Sequence, residues 1–291
     1  MKITLTARPP FSLPSVIRSH GWIQLAPFRE DDATGGFSYI AHLESGRVIN
    51  LQIKATSSEV IVEITDDLTV AEVHAVQEIV SWMLNLDQDF STFYDLASQE
   101  PKLARAAARA QGRILRSPTL FEDVVKTILT TNTLWSATIR MNNNLVQQFG
   151  ISLTENPDRR AFPTAARLAE TDEQTLRTQT RLGYRAPYVL QLARSIDSGE
   201  LDLESLKNAN LPTLELRKRL LAIKGIGEYA AANLLMLLGH YDFIPVDSWA
   251  LKMVSNEWYA GARVGRAEVQ AAFERWGQWK GLAYWLWDWS E

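Results

Sequence analysis

The chain has 291 residues, 46% of them hydrophobic, enough to bury a large core in two domains or in one domain with a substantial appendage. It has no cysteine, which excludes disulfides, thiolate zinc sites and iron–sulfur clusters, and its four histidines are scattered, so chemistry falls to carboxylates, amines, hydroxyls or the backbone. The net charge of -4 conceals a segregation: residues 51–100 carry one basic and ten acidic side chains, residues 101–150 seven basic and two acidic, which fits either two solvated faces or a local phosphate site on a mildly acidic protein.

From the start to about residue 66, "FSYIAHL", "VINLQIKA" and "VIVEIT" alternate apolar and polar residues between "ESGR" and "TSSE" turns, which predicts an antiparallel sheet. Then "VAEVHAVQEIVSWML", from Val70, repeats apolar residues every three or four positions and predicts one helix laid on that sheet. The expectation is an α+β domain over 1–100, followed by an all-α part over 101–291 with Pro, Gly and Asn marking the breaks. There, Pro118 opens a long helical pattern interrupted by the polar "TTNT"; Pro187 starts another helix, and "EYAAANLLMLLG" ends a third at Gly239. No apolar run is long enough for a membrane span, and "MKITLTARPP" lacks the apolar core of a signal peptide, so a cytoplasmic, monomeric protein is expected.

The stretch with most chemical content is "IKGIGEYAA". A helix, a Gly-Ile-Gly turn over residues 223–228 and a second helix would let a phosphate approach Gly225 and Gly227, with N–H groups of the second helix pointing at it. A plain helix–helix turn explains the glycines equally well. Twenty residues after Gly227, "IPVDSWALK" places Asp247 where a helix N-cap belongs, without the Glu or Gln of a capping box at Ala250. An N-cap aspartate can also be catalytic.

Hairpin and aspartate at this distance resemble the helix-hairpin-helix superfamily of DNA glycosylases. Further segments in the family's order, "LFEDVVKTILTTNT", "RLGYRAPYVLQLARSI" and "WKGLAYWLW", extend the resemblance over most of the chain. The sheet-plus-helix start is similar to the extra domain of the alkyladenine and 8-oxoguanine glycosylases. The resemblance implies a helical glycosylase core acting on double-stranded DNA with a damaged base, at the nucleoid in a bacterium, in which Asp247 stabilises an oxocarbenium-like transition state and positions water.

Bifunctional relatives carry a nucleophilic lysine two residues after the last hairpin glycine, and here that position is Tyr229. This implies hydrolysis without lyase activity, and a ring able to stack on a cationic alkylated base. Tyr284 and Asp288 share a helix face that the resemblance directs to the base pocket. Asn132 corresponds to a gap-filling asparagine, and Tyr184 with Arg185 to a wedge and reader of the orphaned base. The resemblance requires no organic cofactor; it implies a monovalent or other hard cation on the backbone carbonyls of Leu221, Ile223 and Ile226. Alkylated purine is the leading expected substrate. The alternatives are an 8-oxoguanine-type enzyme and a non-catalytic damage-binding protein in which Asp247 only caps a helix.

Overall fold

The structure is a computed structural model and describes residues 1–287. In chain order, β1 (Lys2–Thr6) and a short α1 (Leu13–Ile17) precede β2 (Arg29–Asp31), β3 (Gly36–His42), β4 (Val48–Ala55) and β5 (Glu59–Glu63). Helices α2 (Val70–Leu84), α3 (Ser91–Ala97), α4 (Leu120–Thr130) and α5 (Trp135–Phe149) follow, then a hairpin of β6 (Ser152–Leu153) and β7 (Asn156–Arg160). The remainder is helical: α6 (Ala165–Ala169), α7 (Glu173–Gln179), α8 (Ala186–Asp197), α9 (Thr213–Leu221), α10 (Glu228–Leu237), α11 (Ser248–Trp258), α12 (Arg266–Phe273) and α13 (Lys280–Leu286).

These elements form two compact units, neither continuous in sequence. One comprises residues 1–88 and 113–208, the other 89–112 and 209–291. The sequence suggested one division near residue 100. The chain instead divides at 88, 112 and 208, because the sheet and α4 share one buried core.

In the first unit the sheet order is β1-β5-β4-β3-β2, antiparallel throughout. The three strands expected from alternation are present, and β4 alternates buried and half-buried residues along its length. β3 departs from that pattern: five successive residues after Gly36 are buried on both faces. The β6–β7 hairpin, absent from the sequence reading, accounts for this. Leu153 and Ala161 close over Ile40, and Arg159 donates to Ser38 Oγ and Asn50 Oδ1.

α2 begins at a Thr69–Glu72 capping box and ends on left-handed Asn85. The long helical pattern after Pro118 breaks where "TTNT" predicted, with α4 ending at Thr130 and Asn132 at φ +47°. α4 is buried nearly all round, polar residues included. Lys126 Nζ lies 2.6 Å from Glu122 Oε1 and 3.3 Å from Ser117 Oγ, over the Phe28 ring. Tyr39 donates to the other Glu122 oxygen at 2.6 Å, and Trp22 Nε1 to Asp123 Oδ1 at 2.8 Å.

The basic excess of residues 101–150 is therefore only partly a surface property. Lys126, Arg113 and Arg116 are all buried. Arg113 alone donates to the carbonyls of Arg8, Pro10, Asn85 and Gln88.

Asp123 Oδ2 is buried without a hydrogen-bond partner, and burial raises the pKa of this carboxyl to about 6 against hydrogen bonds from Ser117 and Trp22 that lower it. A folded pKa above the unfolded value of about 3.9 means that ionisation is penalised only in the folded state. Its contribution to stability is thus complete below pH 4 and lost as pH rises to about 6. His20, held neutral by burial with a pKa lowered to about 4, works in the opposite sense, so the comparison must isolate the carboxyl. Between pH 4 and 6, Asp123→Asn should gain about 2–3 kcal/mol relative to the wild type, and then hold a constant difference at higher pH. Urea denaturation of both proteins across that range measures this; a constant difference throughout would contradict the assigned burial penalty.

Candidate active site

In the second unit, α9 and α10 are joined by the expected hairpin. Gly225 sits at φ +93°, a conformation a side chain would strain. Gly227 is the N-cap of α10 with no side-chain cap, and a Cβ placed there would meet nothing within 4 Å. The first turn of α10 thus has no side-chain cap from Gly227, and an anion there is favoured by the helix dipole. Ile223 and Ile226 are buried and root the turn, and the Ile223 carbonyl accepts from the Ile226 N–H at 3.0 Å. Arg217 and Glu228 pair across the base of the hairpin.

α10 ends as the sequence predicted. Gly239 (φ +85°) follows the C-cap, with Gly239 N–H bonded to Met236 O and His240 N–H to Leu235 O. The segment that leads on to Asp247 is pinned at several points. Thr213 donates to Asp242 Oδ1 at 2.6 Å and lies 2.9 Å from His240 Nδ1. Gly281 N–H donates to Tyr241 O at 2.6 Å, and a Cβ on Gly281 would come within 2.3 Å of Phe243 O. Tyr241 stacks on Trp279 at 5.4 Å. A backbone held this way fixes where α11 starts.

Asp247 is the N-cap of α11, as expected: its Oδ1 accepts from Ala250 N–H at 2.8 Å. Its Oδ2 makes no hydrogen bond among the described residues, so one oxygen orients the carboxylate and the other is available to chemistry. Tyr284, on α13, is half-buried and packs edge-on against Phe273 at 5.8 Å. Burial raises its pKa, and the nearby Asp247 carboxylate and Tyr229 phenol raise it further. Asp247, Tyr229 and Tyr284 therefore share one electrostatic neighbourhood, with Tyr284 held as a neutral phenol. Tyr229 is 50% exposed, so its ring is free to receive a ligand.

Asp288 lies outside the described residues. The tryptophans of this end mainly pack: Trp276, Trp279 and Trp287 are buried among Phe93, Phe273 and Trp258. The sequence reading did not single out Trp249, two residues after Asp247, which is 52% exposed. Its apolar character reads as core, so only the structure reveals it.

Asn132, Tyr184 and Arg185 belong to the first unit and form a second group. Tyr184 is 45% exposed and donates to Thr131 O at 3.2 Å. Arg185, 6% exposed, stacks on Tyr184 at 4.4 Å and donates to the carbonyls of Thr131 and Asn132. Its guanidinium is engaged beneath the loop.

The model of the HhH-GPD superfamily base excision DNA repair protein matches residues 125–278, more than half of the chain. The chain belongs to that superfamily. The HhH-GPD match spans the hairpin, Asp247, Asn132, Tyr184 and Arg185, and stops short of Tyr284. A DNA-3-methyladenine glycosylase of Bacillus subtilis is 27% identical over 242 residues, which cover 79% of this chain and 78% of that one. Two solved structures share the fold over 98% of this chain. The Archaeoglobus fulgidus 3-methyladenine DNA glycosylase has a TM-score of 0.76 at 21% identity and is covered to 97%. The apo 8-oxoguanine glycosylase/lyase of Clostridium acetobutylicum has a TM-score of 0.75 at 22% identity and is covered to 95%.

Among the described residues, no helix is long and apolar enough to cross a membrane, and no three histidines or acids converge as a side-chain metal site.

Proposed function

We propose that the protein is a monofunctional DNA glycosylase that hydrolyses the N-glycosidic bond of alkylated purines such as 3-methyladenine in duplex DNA. One observation carries this reading. A carboxylate with one free oxygen shares its surroundings with two phenol rings, and a tyrosine stands two residues after Gly227, where a lyase carries its amine.

Departure of the base leaves positive charge on the sugar. Asp247 Oδ2 stabilises that charge and orients the water that attacks the sugar carbon, while Oδ1 stays fixed to the helix. An electron-poor alkylated ring suits the exposed face of Tyr229, through stacking and cation–π attraction. The Tyr284 hydroxyl, neutral at physiological pH, offers a hydrogen bond to a base edge. Gly225, Gly227 and the first turn of α10 take a DNA phosphate. The backbone carbonyls of Leu221, Ile223 and Ile226 would hold a monovalent or other hard cation, which would supply positive charge for binding a phosphate. No organic cofactor is needed for hydrolysis.

Oxidised guanine is the second reading, favoured by the Tyr184–Arg185 pair. Base release from duplexes carrying methylated, deaminated or oxidised bases decides between them. The expected result is fastest release of methylated purine; preferential release of oxidised guanine would overturn the substrate assignment.

A further inference from the structure

The strap of residues 240–246 carries the chain from α10 to Asp247 in no helix or strand. A segment of this kind holds a side chain in place only where bonds from its neighbours replace the ladder it lacks. Two helices supply them. From α13, Gly281 N–H donates to Tyr241 O at 2.6 Å, three residues before Tyr284 on the same helix. From the first residue of α9, the Thr213 hydroxyl lies 2.6 Å from Asp242 Oδ1 and 2.9 Å from His240 Nδ1, so one side chain holds the strap on both sides of Tyr241.

The protons of this cluster have one consistent order. A hydroxyl has a single hydrogen, and an ionised carboxylate only accepts. Thr213 therefore donates to Asp242, and its oxygen is left to accept from His240 Nδ1–H. Burial lowers the His240 pKa against the opposing effect of Asp242, so the imidazole is neutral at physiological pH and carries its one hydrogen on Nδ1. Thr213 serves the strap and not its own helix: α9 has Pro212 at the N-cap and no side-chain cap.

We infer that Thr213 and His240 are positioning residues for Asp247, forming with Asp242 a carboxylate–hydroxyl–imidazole clamp whose proton order holds the strap, and through it the carboxylate, beside the helix that carries Tyr284. This rests on the glycosylase reading above, in which Asp247 must already be in place when the sugar becomes cationic. A misplacement of about 1 Å in such a group costs about a hundredfold in rate. The clamp sits at the start of α9 and just past the end of α10, the ends of those helices remote from the Gly225–Gly227 turn, so it acts on Asp247 without a part in gripping phosphate.

The test compares Thr213→Val, which keeps the shape and removes the hydroxyl, with Thr213→Ser, which restores it. Thr213→Val should release base from a methylated duplex about ten- to a hundredfold more slowly, with DNA affinity within about twofold of wild type and a melting temperature lower by no more than about 4 °C. Amide exchange reports the carboxylate directly, because Ala250 N–H is bonded to Asp247 Oδ1. That amide should exchange at least about tenfold faster in Thr213→Val, while Ala231 N–H, bonded to Gly227 O inside α10, should not change. Thr213→Ser should match wild type in both. His240 repeats the test without touching α9: His240→Asn, whose amide N–H stands where Nδ1–H does, should keep fast release and a protected Ala250, and His240→Gln should lose both.

Unchanged release and Ala250 exchange in Thr213→Val, a Thr213→Ser as slow as Thr213→Val, or a His240→Gln that outperforms His240→Asn would overturn the clamp. The exchange measurement does not depend on base release. A wild type that releases no base from any lesion, with Ala250 exchange still accelerated in Thr213→Val, would therefore refute the proposed activity and leave the clamp standing.

Discussion

Asp247→Asn should lower base release by roughly a hundred- to a thousandfold while leaving fold and DNA binding intact. The magnitude follows from removing a charge that acts only as the sugar becomes cationic; a single preorganised electrostatic group of this kind contributes about 3–4 kcal/mol. The control is built into the substitution, because Asn caps a helix as well as Asp does. An asparagine oxygen can keep the 2.8 Å hydrogen bond from Ala250 N–H, so α11 starts where it did. Asp247→Ala would lose the cap and the charge together and confound the two roles. Release kinetics and the melting temperature of Asp247→Asn, measured together, separate catalyst from cap. Unchanged release would leave only the cap.

The second large effect is on stability. Lys126→Met should destabilise the protein by about 3–5 kcal/mol, because it leaves Glu122 charged and buried with Tyr39 as its remaining partner. At about 2–4 °C per kcal/mol for a unit of this size, the melting temperature should fall by roughly 10 °C. The double variant Glu122→Gln, Lys126→Met removes both charges and should recover much of the loss. A single variant within 1 kcal/mol of wild type would mean that water reaches the pair.

That network shows where the sequence stops being informative. Glu122 and Lys126 are spaced i, i+4, which on an isolated helix is the mark of a solvated surface pair. Their burial is decided by Tyr39, Ser117 and Phe28, which only the assembled unit brings to α4. The strands of the sheet, the break at "TTNT", the hairpin and the Asp247 cap were legible, because each depends on a short run of residues with its own local physics. The β6–β7 hairpin was not: "SLTENPDRR" has neither strand alternation nor an Asn-Gly or Asp-Gly turn, and its residues are fixed by the face of β3 that they cover.

The candidate site divides along the same line. Gly225, Gly227, Tyr229 and Asp247 sit in a contiguous signature. The proximity of Tyr284 to Asp247 and Tyr229 is tertiary and became visible through its electrostatics. Arg185 carries a second lesson. An arginine beside an exposed tyrosine reads as a surface group ready for DNA, whereas its guanidinium is buried and bonded to the carbonyls of Thr131 and Asn132.

The central claim is that Asp247 directs water, and not a protein amine, at the sugar. A single reaction tests it most directly: a duplex with one methylated purine is incubated with the protein and borohydride, and free base, strand integrity and covalent adduct are measured in the same sample. The account predicts free base, an intact abasic strand and no adduct. A trapped protein–DNA adduct with a nicked strand would contradict it.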